Sequence, residues 1–73
     1  MKIIKLSEKV FFVDSNFESK EIFRDVYVNA NQILMIRTNE EGTRISLPGR
    51  GFSMPVKETP EQILEIIKKT PEI

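Results

Sequence analysis

Two prolines bracket the stretch of this sequence whose apolar residues recur at helical spacing, and that confinement decides the fold class. Thr59-Pro60-Glu61-Gln62 reads as a helix start. Thr59 is the N-cap, Pro60 occupies the first helical position, where its missing N–H costs nothing, and Gln62 closes a capping box. Ile63, Ile66 and Ile67, with Leu64 beside them, form an apolar stripe. Glu61 lies near the positive end of the helix dipole, and Lys68 and Lys69 near the negative end. Pro71 forbids continuation. The spacing predicts one helix over about residues 60–69.

Ahead of that helix the chain reads as strands. Residues 2–6, 9–13 and 22–28 are rich in strand formers, with Asp14-Ser15-Asn16 as a turn. Residues 17–24 have a second reading as a helical turn, since Phe17 and Glu21 sit four apart. The alternation of Ile22, Arg24, Val26 and Val28 favours a strand. Asn29-Ala30-Asn31-Gln32 turns the chain into residues 33–38, which meet residues 43–47 across Asn39-Glu40-Glu41-Gly42. One register pairs Ile36 with Ile45, Met35 with Ser46 and Arg37 with Arg44. A one-residue shift would pair Met35 with Leu47 and exchange the buried face. The first gives the cleaner pattern. Leu47-Pro48-Gly49-Arg50 reads as a type II turn into residues 51–57, where Pro55 predicts an edge strand or a bulge. The expected fold is therefore α+β: an antiparallel meander of about five or six short strands, strongly bent or partly barrel-like, carrying one C-terminal helix.

A single domain of 73 residues has little apolar material to bury, and there is no Cys with which to staple it. Absence of Cys and His removes thiol nucleophiles, the usual zinc ligand sets and every His-based acid–base arrangement. Eleven Lys and Arg balance eleven Asp and Glu, so no bulk attraction to polyanions follows from net charge. No run approaches the length of a bilayer span. Residues 1–13 begin like a secretion signal, but Lys5, Glu8 and Lys9 interrupt the apolar run and no small-residue cleavage site follows. The expectation is a cytoplasmic protein without cofactor, metal or membrane anchor.

Candidate sites follow from what remains. Asp14, Asn16, Glu18 and Asp25 fall in a calcium-loop frame, but Ser19 stands where such a loop needs Gly, and no pair of helices flanks it. The carboxylates are scattered, and Glu61 and Glu65 suit a solvated helix face, so no acid–base pair is expected. Arg37, Arg44, Arg50 and Lys57 concentrate positive charge between residues 37 and 57, against Glu40 and Glu41. Residues 58–73 hold four Glu against two Lys. These cations are the candidate anion or nucleic-acid contact, although a Pro-Gly turn needs Gly49-Arg50-Gly51 regardless and a solvated face would look the same. Phe12 and Phe52 are expected in the core. Phe11 and Phe23, if exposed, point to a protein interface. Ile33-Leu34-Met35-Ile36 is apolar on both faces and asks for cover on two sides. Phe11, Phe23, Ile33 and Met35 are therefore the candidate interface, and the expected function is a non-enzymatic, self-associating module, a homodimer open to a further protein partner. A small nucleic-acid binder using the basic sheet face is the alternative.

Val26-Tyr27-Val28-Asn29, then Gly42-Thr43-Arg44-Ile45-Ser46-Leu47, then Val56-Lys57-Glu58-Thr59-Pro60-Glu61-Gln62-Ile63 form a pattern across about residues 26–68. It resembles the small flagellar and swarming-motility protein family, and short bacterial or prophage proteins with the same layout. The resemblance implies a β-meander followed by a helix and assigns no catalytic residue; residues 7–25 have no counterpart in it.

Overall fold

A computed structural model describes residues 1–49, 51 and 53–73. Five strands and one α-helix follow in order: β1 Ile3–Val13, β2 Ser19–Asn29, a 3-10 turn Ala30–Gln32, β3 Met35–Asn39, β4 Gly42–Ser46, β5 Met54–Val56 and α1 Pro60–Lys69. The strands form one antiparallel sheet in the order β2-β1-β5-β4-β3. The α+β class is as expected. The sheet is open, however, and not closed into a barrel, and it is not the expected meander: β2 and β3, consecutive in the chain, stand at its two edges, and β1 neighbours β5.

Several elements match the sequence reading closely. α1 starts at Thr59, whose hydroxyl accepts the Gln62 N–H while the Gln62 side chain accepts the Thr59 N–H. Its end is held from outside: the Lys2 ammonium donates to the Ile67 carbonyl at 3.0 Å, a cation on the negative end of the helix. The β3–β4 hairpin takes the register that pairs Ile36 with Ile45 and Arg37 with Arg44. Pairing continues to Asn39 opposite Gly42, which leaves Glu40-Glu41 as the reversal and Gly42 at φ 124. Asn39 Oδ1 accepts the Glu41 N–H there at 2.9 Å.

Other expectations are corrected. Residues 2–6 and 9–13 are not two strands but one, because Ser7-Glu8-Lys9 keep the alternation and β2 pairs with β1 without a break from Ile3–Asn29 to Val13–Ser19. Residues 19–24 are strand, as the alternation from Ile22 to Val28 favours, and not the helical turn of the other reading. The turn around Asp14-Ser15-Asn16 forms as read, with Phe17 at φ 60. The reversal at Pro48 and Gly49 is also present, Gly49 at φ 76, while Arg50 and Phe52 lie outside the described residues.

Side chains directly opposite one another across an antiparallel pair share a face, and successive residues alternate. On one face lie Ile4, Leu6, Val28, Ile45, Met54 and Val56, all buried, and α1 closes over them with Ile63. This is the core face. The other is open.

Pro55 departs most from expectation, since it sits in the central strand β5 rather than on an edge. Lys57 donates its N–H to the Ser7 carbonyl of β1 at 2.8 Å. Residue 55, two positions earlier, directs its amide nitrogen toward the same neighbour, where proline has no hydrogen to give. Among the described residues, pairing between β1 and β5 is accordingly confined to Glu8 opposite Val56. Beyond β5's other end, both oxygens of Glu58 accept the Ser7 N–H at 3.0 and 3.1 Å, a carboxylate standing in for the next rung. Released by β5, the distal halves of β1 and β2 run on as a two-stranded arm, and the molecule measures 45 × 24 × 20 Å.

Ile63→Ala is expected to cost about 3 kcal/mol in urea denaturation, the usual scale for emptying a buried Ile site. Pro55→Val returns a donor aimed at the Lys9 carbonyl. Its amide should exchange with solvent far more slowly than that of Ser15; equal exchange would contradict the role given to the proline.

Candidate functional site

Two surfaces emerge, and they divide the sequence candidates differently from the way the sequence suggested. The first is the core-facing side of the arm. Along β1 the core face continues through Glu8, Val10 and Phe12, and along β2 through Arg24, Ile22 and Lys20. Glu8 Oε1 accepts from Arg24 Nε and Nη2 at 3.2 and 3.1 Å, so an ion pair separates the core from the apolar side chains beyond it. Phe12, expected in the core, is 42% exposed on the arm, and Ile22 is 48% exposed. α1 does not reach them, because it packs at the other end of β1, where Lys2 meets Ile67.

At the arm's tip the Asp14 carboxylate accepts the N–H groups of Asn16 and Glu18 at 2.9 and 3.0 Å and pairs with Lys20 at 3.3 Å. These bonds use Asp14 on its own turn. The Glu18 N–H, then the Asn16 N–H and Lys20, hold its carboxyl below the ordinary value. Asn16 and Glu18 stay on the tip while Asp25 lies seven residues along β2 from its start side, so the calcium frame is not assembled into one loop. Phe17 is 91% exposed in the left-handed region, a conformation costly for a residue with a Cβ.

The second surface is the open face. Arg37 lies opposite Arg44, and Arg44 opposite Pro55. Lys9 lies opposite Phe23, Lys5 opposite Tyr27, and Phe11 opposite Glu21. Lys57, adjacent to the core-facing Val56, also falls on this side, and its ammonium stands 5.3 Å from the Phe23 ring centroid. Three of the four predicted cations, Arg37, Arg44 and Lys57, therefore share one face; Arg50 is outside the described residues. Sequence reasoning missed Lys5 and Lys9, because their position on this face depends on the β1–β2 register.

The predicted interface residues are split. Phe11 and Phe23 lie on the open face of the arm, 60% and 44% exposed. Met35 is at the opposite edge of the sheet, 51% exposed, and Ile33 packs against the core rather than standing free. The two-sided stretch 33–36 is resolved by a division: Ile33 and Ile36 turn inward, while Leu34 is 70% exposed. Leu34, Met35 and Leu64 rim a shallow apolar groove of about 440 Å³ between β3 and α1. Leu64, read as part of the helix's buried stripe, is exposed instead.

Among the described residues no three acidic side chains come together as a metal site, and no helix is long and apolar enough to cross a membrane. No family model matches the chain, and no curated protein or solved structure matches it with significance.

Asp14 offers a check on the tip. A carboxyl whose folded-state pKa is lowered stabilises the fold above its unfolded value and loses that contribution as pH falls through the folded one. In an NMR titration the Asn16 and Glu18 amides should shift with a midpoint below the ordinary aspartate value of about 4. A midpoint at or above that value would contradict the bonding described. Phe17→Gly should stabilise the monomer by about 1 kcal/mol in thermal unfolding, by removing the left-handed strain.

Proposed function

We propose that this chain is a non-enzymatic binding module that works as a homo-oligomer, with its apolar hairpin arm forming the contact between copies. One observation carries the reading. Among the described residues seven apolar side chains are buried, against thirteen large hydrophobic ones left exposed, and much of that excess sits on or beside the arm. Scattered exposed leucines would need no explanation. Val10 and Ile22 opposite one another, Phe12 beside them and the exposed Phe17 at the tip gather apolar side chains of the kind that marks an interaction surface.

A second copy is the occupant best matched to this strip. The arm is two-stranded with Val10, Phe12 and Ile22 on its core-side face, and two such faces laid together bury the same residues on each partner, as a two-fold contact requires. It also supplies support that a 73-residue domain without disulfides otherwise lacks. The ion pair of Glu8 with Arg24 closes the strip on the core side. Among the described residues the carboxylates that are engaged serve turns, the ladder and surface ion pairs, which supports a binding role.

Sedimentation equilibrium between 1 and 200 µM should show a dimer or higher species, and the Phe12→Ser/Ile22→Ser variant should be monomeric with an unchanged circular dichroism spectrum. A wild-type chain that stays monomeric throughout that range would overturn the proposal. Phe17→Gly separates the two roles of the tip: association weakens while monomer stability rises.

A further inference from the structure

The open face carries cations that no ion pair among the described residues engages. Lys5, Lys9, Arg37, Arg44 and Lys57 all lie there. None of them forms an ion pair among the described residues, where the acid–base contacts are Lys20 with Asp14, Arg24 with Glu8, Lys69 with Glu65 and the α-ammonium with Glu72. Arg37 stands directly opposite Arg44, a like-charge cross-strand pair that is unfavourable unless an anion lies over it. The partners these cations do find are neutral. Arg44 donates to the Ser53 hydroxyl and carbonyl, Lys9 to the Glu41 carbonyl, and Lys57 stands over Phe23.

Three aromatic rings share this face, all exposed: Tyr27 at 70%, Phe11 at 60% and Phe23 at 44%. Tyr27 and Phe23 are four residues apart on β2, about 13 Å along the strand. Phe11 is diagonal to Phe23 across the β1–β2 pair, roughly 7–8 Å away. Each of the two β2 rings is opposite a lysine, Tyr27 with Lys5 and Phe23 with Lys9. Rings and cations thus alternate along one surface.

We propose that this open face binds single-stranded RNA, the rings stacking on unpaired bases and the cations meeting phosphates. A protein partner would match the rings but would need a dense row of carboxylates to match the cations; one strand of RNA supplies both chemistries at every nucleotide. Two carboxylates, Asp25 and Glu21, are on the face as well. Asp25 lies opposite Ser7, between the two ring–lysine rows, where a carboxylate accepts from a ribose 2′-hydroxyl. DNA has no donor at that position. The proposal does not depend on self-association: its residues are different from Phe12 and Ile22, so the two readings fail separately.

Fluorescence anisotropy with a fluorescein-labelled 12-nucleotide oligo(U) tests it, with oligo(dT) and a 12-base-pair RNA duplex as comparisons. Saturable binding to oligo(U) at 50 mM salt is expected, weakening roughly 50-fold by 200 mM if about four phosphates are engaged. Tyr27→Ala should weaken it on the order of 10-fold. Lys5→Glu/Arg37→Glu, which touches no side-chain hydrogen bond among the described residues, should abolish it. Absence of saturable binding by folded wild-type protein overturns the proposal and leaves the face to a protein partner. So does binding that both variants retain, or a duplex bound as tightly as oligo(U). Equal affinity for oligo(dT) overturns the assignment to RNA.

Discussion

A missing hydrogen atom organises this molecule. Pro55 occupies the central strand at a position whose amide would face β1, and the β1–β5 ladder ends beside it, at Glu8 opposite Val56. On the helix side, β1 is tied to β5 at Glu8, through the Lys57 N–H on the Ser7 carbonyl and the Glu58 carboxylate on the Ser7 N–H, and its Ile4 and Leu6 pack into the core with Ile63. Beyond it, among the described residues, β1 pairs as a strand with β2 alone. Proline in a central strand is ordinarily excluded because it costs a ladder bond. Here the lost bond marks the boundary between the part of the sheet that folds and the part that reaches out.

The surrounding residues are consistent with that boundary. Glu58 restores a rung at Ser7, where β5 has ended but pairing is still needed. Glu8 and Arg24 place an ion pair at the point where the core face turns into the arm. Past it, Phe12 and Ile22 are apolar side chains on the core side that stay 42% and 48% exposed. On the reverse of the same two strands the pattern changes to rings alternating with lysines. One hairpin thereby presents two surfaces of different chemistry, an arrangement suited to a small module that joins copies on one side and engages a ligand on the other.

Local signals made the C-terminal half legible. The capping box at Thr59, Pro60 at the helix start and the pairing of Ile36 with Ile45 are decided by residues close in the chain, and each stands where it was read. The arm was not legible for the opposite reason. Ser7-Glu8-Lys9 looks like a break because it is polar, yet polarity on one strand says nothing once a partner strand pairs through it. Phe12 has the pattern of a core residue, and only the reach of α1 leaves it outside. Pro55 signalled an edge, whereas the tertiary ladder made it a central stop. The basic cluster was visible in Arg37, Arg44 and Lys57, but Lys5 and Lys9 join it only through register, as Tyr27 and Phe23 do.

Amide hydrogen exchange followed as a function of protein concentration tests most directly whether the released arm is the contact between copies. Protection of residues 9–13 and 19–23 should rise with concentration, while that of β4 and α1 stays constant. Arm amides whose protection is independent of concentration over the same range would contradict it.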